Sequence, residues 1–385
     1  MSPARKLAFD ILDRVESGGW AGELLLARAG CLEPRDRALA TALVFGVLRY
    51  RAQIDHLMSL FGGRQPQRLD VEVRIILRLA LYQLRYLDRL PPHAVVSDAV
   101  DLTRRAHKRS AAGFVNAVLR KVDRRPVPWP DTATALSLPA WLLERWQRRY
   151  GTDVAHATAR AFLAEPETYV RIPAPPPAHL ELEPTEVPGC WRLLAGDPEG
   201  FRMQDLGSQW VVSLLDLHPG LRFLDLCAAP GNKTAQALES GVAAVACDRN
   251  RRRLGALDGL ACGRVVLDGT RSLPFPRRFD RILVDAPCSG TGTLGRNPEI
   301  RWRIQPSDPD RHAGRQRDLL RHALECLAPG GRLVYSTCSL EPEENEQVVE
   351  AVIGTGGRCR LVETKQRMPG REKGDGFFAA VITSE

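Results

Sequence analysis

The chain has no apolar run long enough to cross a bilayer. A span needs roughly 18–20 consecutive apolar residues, whereas the best stretch, Leu39 to Leu48, has ten and contains Thr41 and Gly46. Arg5, Lys6, Asp10 and Asp13 fall where a signal peptide would need an apolar core, so secretion is not expected and a cytoplasmic location is. The nine cysteines run from Cys31 to Cys359 without one Cys-x-x-Cys pair. An odd, scattered set is neither a disulfide framework nor a zinc spacing, so free thiols and no metal are expected. Glycine-rich phosphate loops are missing too. There is no G-x-G-x-x-G, and Asn232 stands where a P-loop needs glycine. No internal repeat is visible.

The composition is that of a globular protein: 385 residues, 44% hydrophobic and 26% charged, enough for two or three domains. The net charge of +8 is unevenly placed. Residues 1–125 carry 22 basic and 13 acidic side chains, a net +9, while residues 126–385 carry 32 and 33, a net −1. A basic module joined to a nearly neutral one points to a phosphate backbone as partner, against the plainer reading of solvated helix faces.

The first third reads as helices. Arg35 to Leu60 sets Leu39, Leu43, Val47, Tyr50, Ile54, Leu57 and Leu60 at steps of three and four, one helical stripe. Asp70 to Tyr86 repeats the pattern behind an Asp70 cap. Ser97 to Arg109 and Ser110 to Val122 complete an all-helical bundle over 1–125. A basic cluster, Arg104, Arg105, Lys108, Arg109, Arg120, Lys121, Arg124 and Arg125, lies near its end. Residues 126–200 read as a linker. Two helices, Ala140 to Tyr150 and Asp153 to Leu163, are followed by a proline-broken stretch with short strands at best, such as Thr168 to Ile172. From 201 to 385 the texture is α/β. Apolar strands at Leu221–Leu226, Val242–Cys247, Arg264–Leu267, Asp280–Val284 and Leu333–Ser336 alternate with helices, and Gly376–Ile382 closes the chain. This predicts a Rossmann-like, doubly wound, mostly parallel sheet that binds ligands at the carboxyl ends of its strands.

The residues with chemistry sit at those ends. The first strand runs into Cys227-Ala228-Ala229-Pro230-Gly231-Asn232-Lys233, small residues that let a backbone approach a ligand, then a helix N-terminus. Asp248 ends the second strand, suited to ribose hydroxyls, and Asp268 the third, suited to an adenine edge. A nucleoside ligand without a pyrophosphate grip fits S-adenosylmethionine. Any one of these aspartates could be a turn former; in order they are far more specific. The fourth strand ends in Asp285-Ala286-Pro287-Cys288 and the fifth in Ser336-Thr337-Cys338. A lone cysteine in such a core is usually a small hydrophobe. Two at adjacent strand ends beside a methyl donor suggest chemistry. Carbon-5 of a pyrimidine becomes nucleophilic when a thiolate adds to carbon-6, and an acidic residue such as Asp285 can anchor the extruded base. The residues alone leave open which thiol attacks, and analogy with DNA cytosine methyltransferases favours Cys288.

DLCAAPGNKT (225–234), DAPCSGTG (285–292) and STCSLEPEENE (336–346) resemble motifs of the RNA cytosine-5 methyltransferase family that includes the bacterial Sun/RsmB and eukaryotic NOP2/NSUN proteins. RMQDLGSQ (202–209) is similar to the opening of that family's catalytic domain and DGFF (375–378) to its end. LDRLPPHAVVSDAV (87–100) and AGFVNAVLRKV (112–122) resemble the NusB-type RNA-binding domain, which points to the RsmB branch. The resemblance implies methylation of a cytosine in 16S ribosomal RNA, with Cys338 as nucleophile and Cys288 assisting breakdown of the adduct; a monomer is expected. It places Cys227 to Lys233, Asp248, Asp268 and Asp285 around S-adenosylmethionine, with Lys233 and Asp285 also serving the reaction. The chain departs from the family at Asn232, where glycine is usual, and in residues 165–200, where an intermediate RNA-contacting subdomain looks trimmed. The competing readings are a non-catalytic RNA-binding or ribosome assembly factor and a DNA cytosine-5 methyltransferase.

Overall fold

The computed structural model describes residues 2–173, 175–276, 278–354 and 358–385. They form two compact units, Met1–Ala164 with Leu294–Arg303 and Glu165–Thr293 with Ile304–Glu385.

The first unit is all helical. Its bundle comprises Pro3–Glu16, Ala21–Arg28, Pro34–Arg49, Arg51–Gly62, Val71–Tyr86, Pro92–Arg105 and Ala112–Arg120. Helix Val71–Tyr86 is central, with Val73, Ile75, Ile76, Leu77, Leu79, Ala80 and Leu81 all buried in one core. Prolines at the first turns of Pro3–Glu16, Pro34–Arg49 and Pro92–Arg105 supply a ready φ where no N–H is needed. At Gly46 a Cβ would lie 2.0 Å from the Tyr82 ring, so only glycine lets these two helices approach. The stripe expected over Arg35 to Leu60 is two helices. The chain leaves helical geometry at Tyr50 (φ −99, ψ 16), whose ring packs 4.6 Å from that of Tyr86 and whose hydroxyl donates to the Leu163 carbonyl. An apolar stripe can keep its spacing across a change of axis, so periodicity does not reveal the break. Asp70 occupies the expected cap position but makes no cap bond; it pairs with Lys108 at 2.9 Å.

Arginines organise this unit. Arg78, 3% exposed, reaches Asp55 at 2.7 Å and Glu16 at 2.8 Å. Arg301, from the Leu294–Arg303 segment, is fully buried and donates to the carbonyls of Arg49, Ser137, Phe162 and Leu294. Burial and the nearby Arg49 push its guanidinium down to about 9. Helices Ala140–Tyr150 and Thr152–Ala161 belong to the same unit.

The stretch read as a linker holds a folded element in the second unit: a four-stranded antiparallel sheet of β1 (Tyr169–Arg171), β2 (Glu181–Pro184), β3 (Cys190–Ala195) and β4 (Arg202–Met203), in the order β2-β3-β1-β4. Pro184 is tolerated because it ends an edge strand. The main sheet comprises β5 (Arg222–Asp225), β6 (Ala243–Asp248), β7 (Gly263–Val266), β8 (Phe279–Asp285), β9 (Leu327–Thr337), β10 (Cys359–Arg367) and β11 (Phe377–Ser384). Its order is β10-β11-β9-β8-β5-β6-β7. The five strands from β9 to β7 run parallel, and β11 and β10 are antiparallel. Adjacent β5 residues face opposite cores, Phe223 one and Leu224 the other, as expected of a sheet covered on both sides. The order reverses at β5, which opens a crevice at the carboxyl ends of β5 and β8.

Candidate active site

Two adjoining regions form at that crevice. The first is a cavity of about 240 Å³ walled by Cys227, Asp248 and Asp268, together with Asn250, Arg253, Pro287, His312 and Arg315. Asp248 is buried; its Oδ2 accepts from the Ala229 N–H at 3.3 Å and its Oδ1 from Asn250 N–H at 2.8 Å. It thereby holds the turn after β5, and Arg253 donates to the Ala229 carbonyl from the same side. Asp268 accepts from the Thr270 N–H and hydroxyl, both on Oδ1. These hydrogen bonds lower its carboxyl from the ordinary range. Ala228, Ala229, Pro230 and Gly231 form the turn itself. Gly231 adopts φ 105, and a Cβ there would meet Leu257 at 2.6 Å, so glycine is demanded at this position. Asn232 is the first residue of helix Asn232–Leu238 and donates to the Met203 carbonyl. Its place in ordinary helix explains why the departure from glycine leaves the turn intact.

Asp225 was not singled out from the sequence as a site residue, although it obeys the same strand-end logic as Asp248 and Asp285. It is 1% exposed; Oδ2 accepts from the Thr234 hydroxyl at 2.6 Å, while Oδ1 is buried with no partner among the described residues. Burial raises its carboxyl to about 7, with the Thr234 hydrogen bond opposing and neighbouring Asp285 reinforcing the shift.

The second region holds the thiols. Cys288 and Cys338, each half-buried, lie with sulfurs 3.4 Å apart. Asp285, at the end of β8, accepts from Lys233 Nζ at 2.8 Å on one oxygen and from the Ser336 hydroxyl at 2.8 Å on the other. Burial alone would lower the Lys233 ammonium, but Asp285 and then Cys338 more than offset it and raise it above its ordinary value. Lys233 also stands 5.3 Å above the Phe377 ring. The hydrogen bond with Cys338, followed by burial, pushes the Cys288 thiol well up. Lys233 and Asp285, expected at both the cofactor and the reaction, are thus grouped with the thiols, and Pro287 links this cluster to the cavity wall. No group of three or more metal-ligating side chains occurs among the described residues.

Comparison with known proteins follows the two units. Residues 212–383 match the family model described as 16S rRNA methyltransferase RsmB/F, and residues 2–124 match the NusB family. The chain is 38% identical over 385 residues to a ribosomal RNA small subunit methyltransferase B of Thermus thermophilus, covering 97% of this chain and 93% of that one. Among solved structures, PH0851 superposes with a TM-score of 0.81 at 23% identity over 99% of this chain and 98% of that one. NSun6 of Pyrococcus horikoshii, solved with SFG, gives 0.56 at 19% identity over 64% and 98%. These last two likenesses concern the fold.

Proposed function

We infer the activity from the premise that the chain belongs to the RsmB/F family of 16S rRNA methyltransferases: it methylates carbon-5 of a cytosine in 16S ribosomal RNA. The methyl group comes from S-adenosylmethionine, whose sulfonium supplies an electrophilic carbon when bound. The donor set fits that molecule. Asp225 offers a buried carboxylate oxygen without a partner, suited to the methionine ammonium. Asp248 offers a fixed carboxylate to the ribose hydroxyls, and Asp268 keeps Oδ2 for an adenine amino group. Gly231 and the Ala228–Pro230 turn allow close backbone approach.

The observation that carries the mechanism is the pair of sulfurs 3.4 Å apart beside the Lys233–Asp285 pair. Cys338 adds as thiolate to carbon-6 of the base, assisted by the nearby ammonium of Lys233. Asp285 accepts from the exocyclic amino group, and the ring nitrogen takes a proton from water as the thiolate adds, so that the enamine forms neutral. With carbon-5 methylated, its hydrogen must leave before the Cys338–carbon-6 bond breaks. Cys288 begins as a thiol, held up first by its bond with Cys338. After methyl transfer Cys288, its sulfur 3.4 Å from that of Cys338, gives its thiol proton to water and takes the carbon-5 proton, and Cys338 departs as thiolate.

The basic helical unit, spanning the stretch similar to NusB, holds the RNA. The β1–β4 sheet lies mostly within the stretch expected to be a trimmed intermediate region. The test is trapping with 16S RNA containing 5-fluorocytosine. A complex that survives denaturation and disappears in Cys338→Ser supports the assignment, and one that persists in that variant overturns it.

A further inference from the structure

One buried carboxylate in the catalytic unit accepts four hydrogen bonds, and the mechanism gives it no part. Glu344 is completely buried. Its Oε1 accepts from the Ser289 N–H at 2.7 Å and from Gln316 Nε2 at 3.3 Å. Its Oε2 accepts from the Ser339 hydroxyl at 2.5 Å and from the Ser289 hydroxyl. Ser289 immediately follows Cys288, and Ser339 immediately follows Cys338. The two serine oxygens are themselves 3.1 Å apart. Gln316 closes the arrangement by also donating to the Pro287 carbonyl at 3.0 Å, on the other side of Cys288.

The carboxylate is fixed from behind as well. The Tyr335 hydroxyl donates to the Glu344 carbonyl at 2.6 Å, and neighbouring Asn345 joins Thr337 to the Ser339 carbonyl. Four donors converge on two oxygens, and no lysine or arginine pairs with them among the described residues. Only an acceptor-only group satisfies four donors at once; an amide would turn its NH₂ toward one pair of them. Burial without a cation raises the Glu344 carboxyl to about 7, a cost that solvated surface glutamates do not carry.

We propose that Glu344 is a positioning residue for methyl transfer: it ties the Cys288 loop to the Cys338 loop and sets the spacing of the two thiols. The proposal rests on the assignment of those thiols given above. A displacement of about 1 Å in a reacting group can cost a hundredfold in rate, and these two loops descend from different strands, β8 and β9, with no disulfide to join them.

The test is single-turnover formation of the covalent complex with 5-fluorocytosine RNA, alongside binding of RNA and of S-adenosylmethionine. E344Q should slow complex formation by about ten- to a hundredfold with both affinities unchanged. S289A and S339A should each slow it less, and neither should slow it further in the E344Q background, because they remove the same tie. Additive losses, or E344Q reacting at the wild-type rate, would overturn the proposal. Should E344Q not fold, S289A/S339A carries the same test: it removes both hydroxyl donors and keeps the carboxylate, and a wild-type rate there is equally decisive. A complex in the unaltered protein that persists in C338S would instead sink the thiol assignment, so the two failures are distinguishable.

Discussion

Glu16 in the helical unit and Asp225 and Glu344 in the catalytic unit are treated in opposite ways. In the helical unit Glu16 faces Arg51, Arg74 and Arg78; burial alone would raise it, but the three guanidiniums bring it below the ordinary range. Half-buried Asp98 behaves likewise under the Ser2 N–H and Arg5. In the catalytic unit Asp225 and Glu344 are buried without a cation of their own, and both rise to about 7. A carboxylate matched by an arginine is complete and serves the scaffold. One left unmatched in a cleft is destabilising until something binds it or uses it, which is why perturbed groups mark functional sites. Charge tells the same story: the helical unit carries 29 basic and 17 acidic residues, a net +12, and the catalytic unit 25 and 29, a net −4.

The largest expected break in that contrast is Cys338→Ser. It should lower turnover by about 10⁴-fold or more and leave the melting temperature within a degree or two, read by methyl incorporation beside calorimetry. Cys288→Ala should instead accumulate unreleased enzyme–RNA adduct, and free turnover would count against its release role. The counterpart in the helical unit is Arg78→Met. It strands Asp55 and part of Glu16 and should cost about 3 kcal/mol in denaturant unfolding, while folded enzyme keeps its turnover. A loss of activity without a loss of stability would deny the scaffold role. Next in size is Asp225→Asn, expected to weaken S-adenosylmethionine about thirtyfold and to stabilise the ligand-free protein above pH 7.

The pH dependence should differ in sign between these two sets of carboxylates. Groups raised in the folded state, Asp225 and Glu344, contribute stability that is complete below about pH 4 and lost as pH rises through about 7. Groups depressed in the folded state, Glu16 and Asp98, contribute stability present above the ordinary carboxylate range and lost on acidification below it. Hydrogen exchange at pH 5.5 and pH 8 should therefore show the catalytic unit less protected at the higher value and the helical unit little changed. Binding of S-adenosylmethionine near pH 7 should release protons from Asp225, measurable by titration calorimetry in buffers of different ionisation enthalpy. A binding heat independent of the buffer would remove Asp225 from the cofactor site.

Legibility followed locality. Asp248, Asp268, Asp285, Cys288 and Cys338 could be read because strand, turn and reactive residue are consecutive in the chain. Asp225 obeys the same strand-end pattern, at the head of the DLCAAPGNKT stretch. Glu344 was not readable in this way: it sits among Glu341, Glu343 and Glu346, and an acidic run reads as solvated surface until the fold buries Glu341 and Glu344, the latter under two serines. The β1–β4 sheet was hidden by its prolines. β10 was hidden by its composition, CRLVETKQR, whose apolar residues do not alternate cleanly and whose side chains are mostly exposed on an edge strand. The Leu294–Arg303 segment offered no local sign at all. Its neighbours are catalytic, yet Arg301 and the Glu299 bond to the Ala21 N–H place it in the helical unit.

The smallest expected effect tests whether the helical unit's charge is free to act on RNA. Of the eight basic residues clustered near its end, four are held in ion pairs: Arg104 by Asp101, Lys108 by Asp70 and Glu72, Arg124 by Asp88, and Arg125 by Asp123. The other four, Arg105, Arg109, Arg120 and Lys121, are exposed, and no ion pair holds them among the described residues. A cation with a fixed carboxylate releases fewer counterions from a phosphate than one without. Replacing these four by glutamine should therefore reduce the slope of log K against log salt by about 3, roughly 0.7–0.9 for each phosphate no longer neutralised. For a single residue that is less than a twofold change in affinity on each doubling of salt. The same replacements at the four paired positions should move the slope by clearly less. Equal slopes would mean that the pairs open on RNA and that net charge alone, not its pairing, governs how this unit holds its substrate.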